Sequence, residues 1–216
     1  MKRSVLFLLI PLLPLLPSAT NAADGYRLYE ATAASVNREV LFLTDVVREQ
    51  CMRRCVAIPG NPPQDLTLEE ARERLILDTL ALQEQRKLEL GQVDNAVLGA
   101  EVKEVAAMLE SCPSPCRAEM SPEQVSEWVG RKLLVRDFLR RRVSAFVEIK
   151  DEDVRREVHR RAGKSGDTQA ASEKQVREEL LNEKVAEEVR NWYDRAASKS
   201  RIILSPLEEP WTGSTR

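Results

Sequence analysis

Apolar and polar positions follow two different periods along this chain, and the change of period divides it. Beyond an apolar stretch at Val5–Leu16, small, β-branched and apolar residues fill 31–37 (ATAASVN) and 40–44 (VLFLT), with Arg38-Glu39 between them. This pattern predicts two short strands joined by a polar turn. From Thr44 onward the spacing is helical. Thr44 or Asp45 is placed to cap a helix running to about Cys55. Ile58 to Asp65 (IPGNPPQD) is a proline-rich, extended, solvent-facing loop. Thr67 and Glu70 form a capping box that opens a long helix to about Leu90. Its middle, Leu75 to Leu82 (LILDTLAL), is apolar on most sides, which requires burial against more than one neighbour. Gly91 ends it. Asp94 caps the next helix, where Leu98, Val102, Val105 and Leu109 recur at helical spacing until the CPSPC turn.

Ser121-Pro122-Glu123-Gln124 combines an N-cap, a proline in the first turn and a glutamine at the third helical position. The helix it opens sends Val125, Trp128, Val135, Phe138 and Leu139 inward and ends near Phe146. Asp151 caps a short helix to Arg161, and 163–171 (GKSGDTQAA) is a flexible linker. Ser172 with Gln175 opens the last helix, whose stripe of Leu181, Val185, Val189 and Trp192 is expected to be buried. Arg201 to Leu204 (RIIL) predicts a terminal strand, and 206–216 a polar tail. A chain with β signals only at its two ends most simply pairs those ends. The expected fold class is mainly α: one helical module over 23–205, with a small β-sheet formed by an N-terminal hairpin and a C-terminal strand.

Composition narrows the class. The 216 residues are 43% apolar and 31% charged, and Lys plus Arg (33) nearly balance Asp plus Glu (35), for a formal charge of -2. Dense but balanced charge argues against a disordered chain. It also removes the basic excess that nucleic-acid binding requires, so no nucleic-acid partner is expected. Eight Gly and eleven Pro exclude a collagen-like or linker-dominated chain.

Residues 1–22 have the layout of a secretory signal peptide. Lys2 and Arg3 form the positive start, Val5 to Leu16 the apolar region interrupted by Pro11 and Pro14, and Thr20-Asn21-Ala22 the small residues before a cut between Ala22 and Ala23. The apolar run falls well short of the roughly 20 residues that span a bilayer, so no stable membrane insertion is expected. Removing Lys2 and Arg3 leaves 31 basic against 35 acidic residues, a formal charge of -4. The expected location is the periplasm of a Gram-negative envelope.

Export changes the meaning of the cysteines. Cys51 and Cys55, and Cys112 and Cys116, form two C-x-x-x-C pairs. An oxidising compartment favours disulfides, and neither the C-x-x-C knuckle of zinc sites nor the C-x-x-C redox motif is present. Metal and redox roles are the alternatives, and neither a metal nor a cofactor is expected. Cys51 and Cys55 lie one helical turn apart, and an antiparallel return of the chain pairs Cys51 with Cys116 and Cys55 with Cys112. Local bridges within each pair are the second possibility.

Catalytic chemistry has no foothold in the pattern. His159 is the only histidine and lies on a highly charged segment, VRREVHRRAG, as a solvated surface group. G-x-S-x-G, P-loop, G-x-G-x-x-G and H-E-x-x-H motifs do not occur. The basic groups Arg140-Arg141-Arg142, Arg155-Arg156 and Arg160-Arg161 alternate with Asp151, Glu152, Asp153 and Glu157, which predicts paired helix faces in preference to an anion-binding patch. Met52, Met108 and Met120 fit core filling better than an adaptable peptide surface.

The segment Ala34 to Val46 (ASVNREVLFLTDV) resembles the opening of SurA-type periplasmic chaperones and their PpiC/parvulin relatives, where a strand ending in Val-Asn turns into a second strand and a capped helix. The similarity continues through Leu75 to Leu80 and Leu90-Gly91-Gln92-Val93-Asp94-Asn95, and Val147 to Val154 (VEIKDEDV) resembles the lead into the parvulin prolyl-isomerase domain. The last helix and RIIL resemble the C-terminal return of that family. The linker 163–171 stands where the parvulin domain is inserted, and the cysteines are outside the general pattern. The resemblance implies a non-enzymatic, ATP-independent holdase for unfolded or nascent envelope polypeptides, outer-membrane proteins among them, binding in a crevice between the helical module and its returning C-terminal helix. It transfers no individual peptide-binding residues. A dedicated partner of one envelope client is the rival reading, and a residual prolyl isomerase the third.

Overall fold

A computed structural model describes residues 31–58, 62–112, 120–164 and 172–207. In chain order these form β1 (Thr32–Val36), β2 (Glu39–Phe42), α1 (Leu43–Cys55), α2 (Leu68–Lys87), α3 (Asn95–Ser111), α4 (Pro122–Arg142), a 3-10 turn (Ser144–Phe146), α5 (Asp151–Lys164), α6 (Glu173–Ser198) and β3 (Ile202–Leu204). The mainly helical class with a small sheet is as the periodicity predicts.

The two ends of the described chain meet in one antiparallel sheet of order β2-β1-β3. Val36 faces Glu39 across the hairpin and Ile202 on the other side. Asn37 takes the left-handed conformation that the turn needs, at φ 59°. Its side chain also holds three distant segments together. Its amide nitrogen donates to Gln83 Oε1 (2.6 Å) and Ser200 Oγ (3.3 Å), and its Oδ1 accepts from the Arg201 N–H (3.0 Å).

The helix starts follow their side-chain caps. Thr67 with Glu70 and Ser121 with Gln124 close reciprocal boxes, Asp94 accepts from the Ala96 and Val97 N–H groups, and Ser172 accepts from Gln175 N–H. α1 begins one or two residues earlier than the expected cap at Thr44 or Asp45. Asp45 occupies the third helical position instead, and its Oδ2 accepts from the Phe42 N–H at 3.1 Å, so strand passes directly into helix. α4 ends at Arg142, and the 3-10 turn carries the chain on to Phe146.

The sheet packs on α1 and α2 through Val36, Leu41, Val46, Leu75 and Leu80, with Trp192 and Ile202 at the margin. α3 and α4 meet α1 in a second cluster centred on Met52, Leu109, Val125 and Trp128. Met108 and Met120 pack against that cluster, so Met52, Met108 and Met120 contribute to core packing. Ala81, Leu82, Val135 and Phe138 close the third, against Trp192 and Tyr193. α2 thus meets α1, α4, α6 and β1, which accounts for its nearly continuous apolar middle.

In the loop after α1, Pro62, Pro63 and Asp65 are exposed, as expected. Arg53 is fully buried, and its guanidinium donates to the carbonyls of Val56 and Pro62 and to Gln64 Oε1, tying the end of the proline-rich loop to the helix. Residues 59–61 of that loop lie outside the described residues.

Candidate functional site

Two places gather polar chemistry, and they differ in access. The first is buried. α1 supplies Glu49, α2 Asp78, and α4 both Trp128 and Lys132. Lys132 Nζ lies 2.7 Å from Glu49 Oε1 and 2.6 Å from Asp78 Oδ2, and Trp128 Nε1 donates to Glu49 Oε2 at 2.7 Å. The ammonium also sits 5.2 Å from the centre of the Trp128 ring. Glu49 is 1% exposed, so its carboxylate depends on these partners. The cleft beside them holds about 20 Å³, room for little more than a water molecule. This cluster is a structural junction of three helices, not a ligand site. Sequence reasoning missed it; the available signal was a lone aspartate inside the apolar run LILDTLAL.

Burial raises the Asp78 carboxyl above its ordinary range, opposed by Lys132 and reinforced by Glu49. A raised carboxyl binds more protons folded than unfolded, so its contribution to stability is full below the unfolded pKa and is lost as pH rises through the folded one. An Asp78→Asn variant lacks this term. Its stability relative to wild type is expected to improve as pH rises from about 4 to about 7, the span above the ordinary carboxyl value. Urea melts across that range measure the trend; a difference independent of pH would refute it.

The second place is open. Where α6 passes the 3-10 turn, a groove of about 500 Å³ lies between them. Val143, Phe146, Val147 and Trp192 supply its apolar lining. Arg142, Lys184 and Arg195 contribute cations and Glu148, Glu187 and Glu188 anions around it. Lys184, Glu188, Trp192 and Arg195 recur at helical spacing and therefore share one face of α6. Trp192 is anchored edge-on by Phe138 and Tyr193, both with centroids at 4.9 Å, while Phe146 is 77% exposed. The groove is rigid on the tryptophan side and uncovered on the phenylalanine side.

The expected buried stripe of α6 needs correction. Val176 is fully buried, but Leu181 is 38% exposed and Val185 and Val189 are half-buried. The physical reason is that the first part of α6 is covered by a single helix, α5, which is joined to it largely by ion pairs. Arg177 pairs with Asp151, Arg161 with Glu179, and Lys184 with Asp153. Arg160 and Arg161 clamp Glu157 and hold its carboxyl down at about 2. On α4, Asp137 pairs with Arg140 and Arg141. Arg140, Arg141, Arg156, Arg160 and Arg161 are thus matched by carboxylates, as the alternation predicts.

Cys55 and Cys112 are bridged, with Cα atoms 5.4 Å apart, tying the end of α1 to the end of α3. Local bridging of Cys55 to Cys51 is thereby excluded. Cys51 is itself disulfide-bonded, and Cys116 lies outside the described residues. So do Ala22, Ala23 and the whole proposed signal segment, as well as 165–171 of the linker and the tail beyond Leu207. His159 is exposed on α5. Among the described residues no helix is long and apolar enough to cross a membrane.

No family model matches the chain, and no curated protein matches it.

Proposed function

We propose that this chain is a periplasmic, ATP-independent holdase that binds unfolded or partly folded exported proteins, including outer-membrane proteins, without catalysis. The observation that carries the reading is the groove between the 3-10 turn and α6. It combines an anchored tryptophan, an uncovered phenylalanine and charges of both signs, and so suits an apolar chain segment of varied sequence. A disulfide between α1 and α3 is compatible with an oxidising compartment. The resemblance of the strand-turn-strand-helix opening to SurA-type chaperones points the same way.

Phe146→Glu tests this directly, because the ring contributes to the groove but little to the core. Losing its burial on binding is worth about 1.5–3 kcal/mol, or roughly tenfold or more in client affinity. Unfolding stability is expected to change by no more than about 0.5 kcal/mol. The measurement is aggregation suppression and peptide binding with several unrelated unfolded outer-membrane proteins. Equal activity of wild type and variant removes the groove from the proposal. Binding of one client only favours the dedicated-partner reading, and catalysis in a prolyl-isomerisation assay favours the isomerase.

A further inference from the structure

Among the described residues the sheet ends at β3. Hydrogen bonds from Asn37 N–H to the Arg201 carbonyl (2.7 Å) and from Ser205 N–H to the Ala33 carbonyl (3.1 Å) set the phase of the β1–β3 ladder. Arg201, Ile203 and Ser205 therefore turn their backbone groups toward β1, and Ile202 and Leu204 turn theirs to the open side. β3 is the sheet's edge, and no described residue pairs with it there. Leu204 stands opposite Ala34, which is fully buried, so its side chain shares the core face. It is nevertheless 56% exposed, and no described strand lies beyond it. At the end of the other edge strand the Phe42 N–H is taken by Asp45, and β2 runs straight into α1. Ile202-Ile203-Leu204 contains none of the charges or prolines that usually blunt an exposed edge.

We propose that the open edge of β3 takes an extended polypeptide segment as a fourth, backbone-paired strand. Unpaired N–H and C=O groups at strand spacing are matched only by another strand, and an apolar side chain on that strand covers Leu204. A second copy of this chain is the poorer occupant. A three-residue edge is about 10 Å long, and pairing two such edges falls well short of the roughly 1,200–2,000 Å² of a stable interface. An extended chain needs no such area from the edge alone, since it continues past both ends. That this strand comes from an unfolded client rests on the chaperone reading; the pairing geometry does not.

The test uses the full chain and a short fluorescent peptide of alternating valine and threonine, with a second peptide N-methylated at alternate backbone nitrogens. Leu204→Pro removes an outward N–H, together with the leucine side chain, at a position where proline is tolerated, leaving the ladder to β1 intact. Leu204→Lys blocks the edge by charge, should the proline variant fail to fold. Fluorescence anisotropy is expected to show binding of the unmethylated peptide, weakened roughly tenfold or more by N-methylation and by either variant. Equal binding of the two peptides, or unchanged binding by a folded variant, overturns the proposal. So does a wild-type dimer in sedimentation that Leu204→Lys dissociates, since the edge is then filled by a second copy. If aggregation suppression persists while peptide binding ignores the edge variants, the chaperone reading stands and this one falls. Edge-dependent peptide binding without aggregation suppression separates them the other way.

Discussion

Replacing Lys132 by methionine is expected to cost about 3–5 kcal/mol of unfolding free energy, the typical loss when one partner of a buried ion pair is removed. The ammonium is the shared counter-ion of two carboxylates, 2.7 Å from Glu49 and 2.6 Å from Asp78. Without it, two buried acids face each other across α1 and α2, and the Trp128 N–H alone remains to satisfy Glu49. Asp78, whose carboxyl burial already raises, then loses the cation that opposes the rise. The deficit of the variant should therefore be largest near neutral pH and shrink as the solution is acidified. Urea-induced unfolding at two pH values measures both parts. A Glu49→Gln/Asp78→Asn/Lys132→Met variant, which removes all three charges of the ion-paired cluster, should recover a substantial share, because neutral groups of similar shape avoid the desolvation of the ions. If the single and triple variants lose the same amount, packing of the lysine stem and not charge compensation is what matters.

Removal of the Cys55–Cys112 bridge by a Cys55→Ala/Cys112→Ala variant should cost about 4 kcal/mol on the loop-closure scale, for a separation of 57 residues. For a chain of this size that corresponds to a fall in Tm of roughly 10 °C. The bridge joins the C-terminal ends of α1 and α3, whereas α3 otherwise buries only Val105 and Leu109 fully. The loss is expected to come with earlier hydrogen exchange in α3 than in α2, since α2 is held from four sides. Thermal unfolding of the double alanine variant, with exchange measured helix by helix, checks this. Uniform loosening of all helices would contradict it.

Much of the architecture was legible because the signals are local. A cap reports on the next three or four residues, and Thr67 with Glu70 or Ser121 with Gln124 gives a helix start wherever the helix later docks. The end-to-end sheet was also within reach, since two lone β signals in a helical chain have few other partners. The α1 start slipped because Asp45 is equally suited to cap a helix or to sit at its third position, and only the run of the chain out of β2 chooses. The stripe on α6 was misjudged for a different reason. Periodicity shows that a face is apolar, not how many neighbours arrive to cover it.

The site was less legible still. Lys184, Glu188, Trp192 and Arg195 can be placed on one helical face from their spacing, but the 3-10 turn that completes the groove with Phe146 gives no periodic signal. The charged junction was hidden because Glu49 and Lys132 stand in ordinary amphipathic segments, and the lone aspartate in LILDTLAL does not by itself name its partners.

By itself, the sequence determined the helices, the caps of α2, α3, α4 and α6, the hairpin, the terminal strand, the pairing of most of the clustered arginines with neighbouring acids and the core role of Met52. All of these depend on residues a few positions apart, or on the bare apolar period. Only the tertiary structure decided that Glu49 meets Lys132 across 83 residues, that Asn37 grips Arg201 across 164, that α6 keeps an open groove and that β3 is the edge strand among the described residues. Those contacts are set by how helices cross and where the sheet ends. That geometry arises from the packing of the whole chain, and no window of sequence contains it.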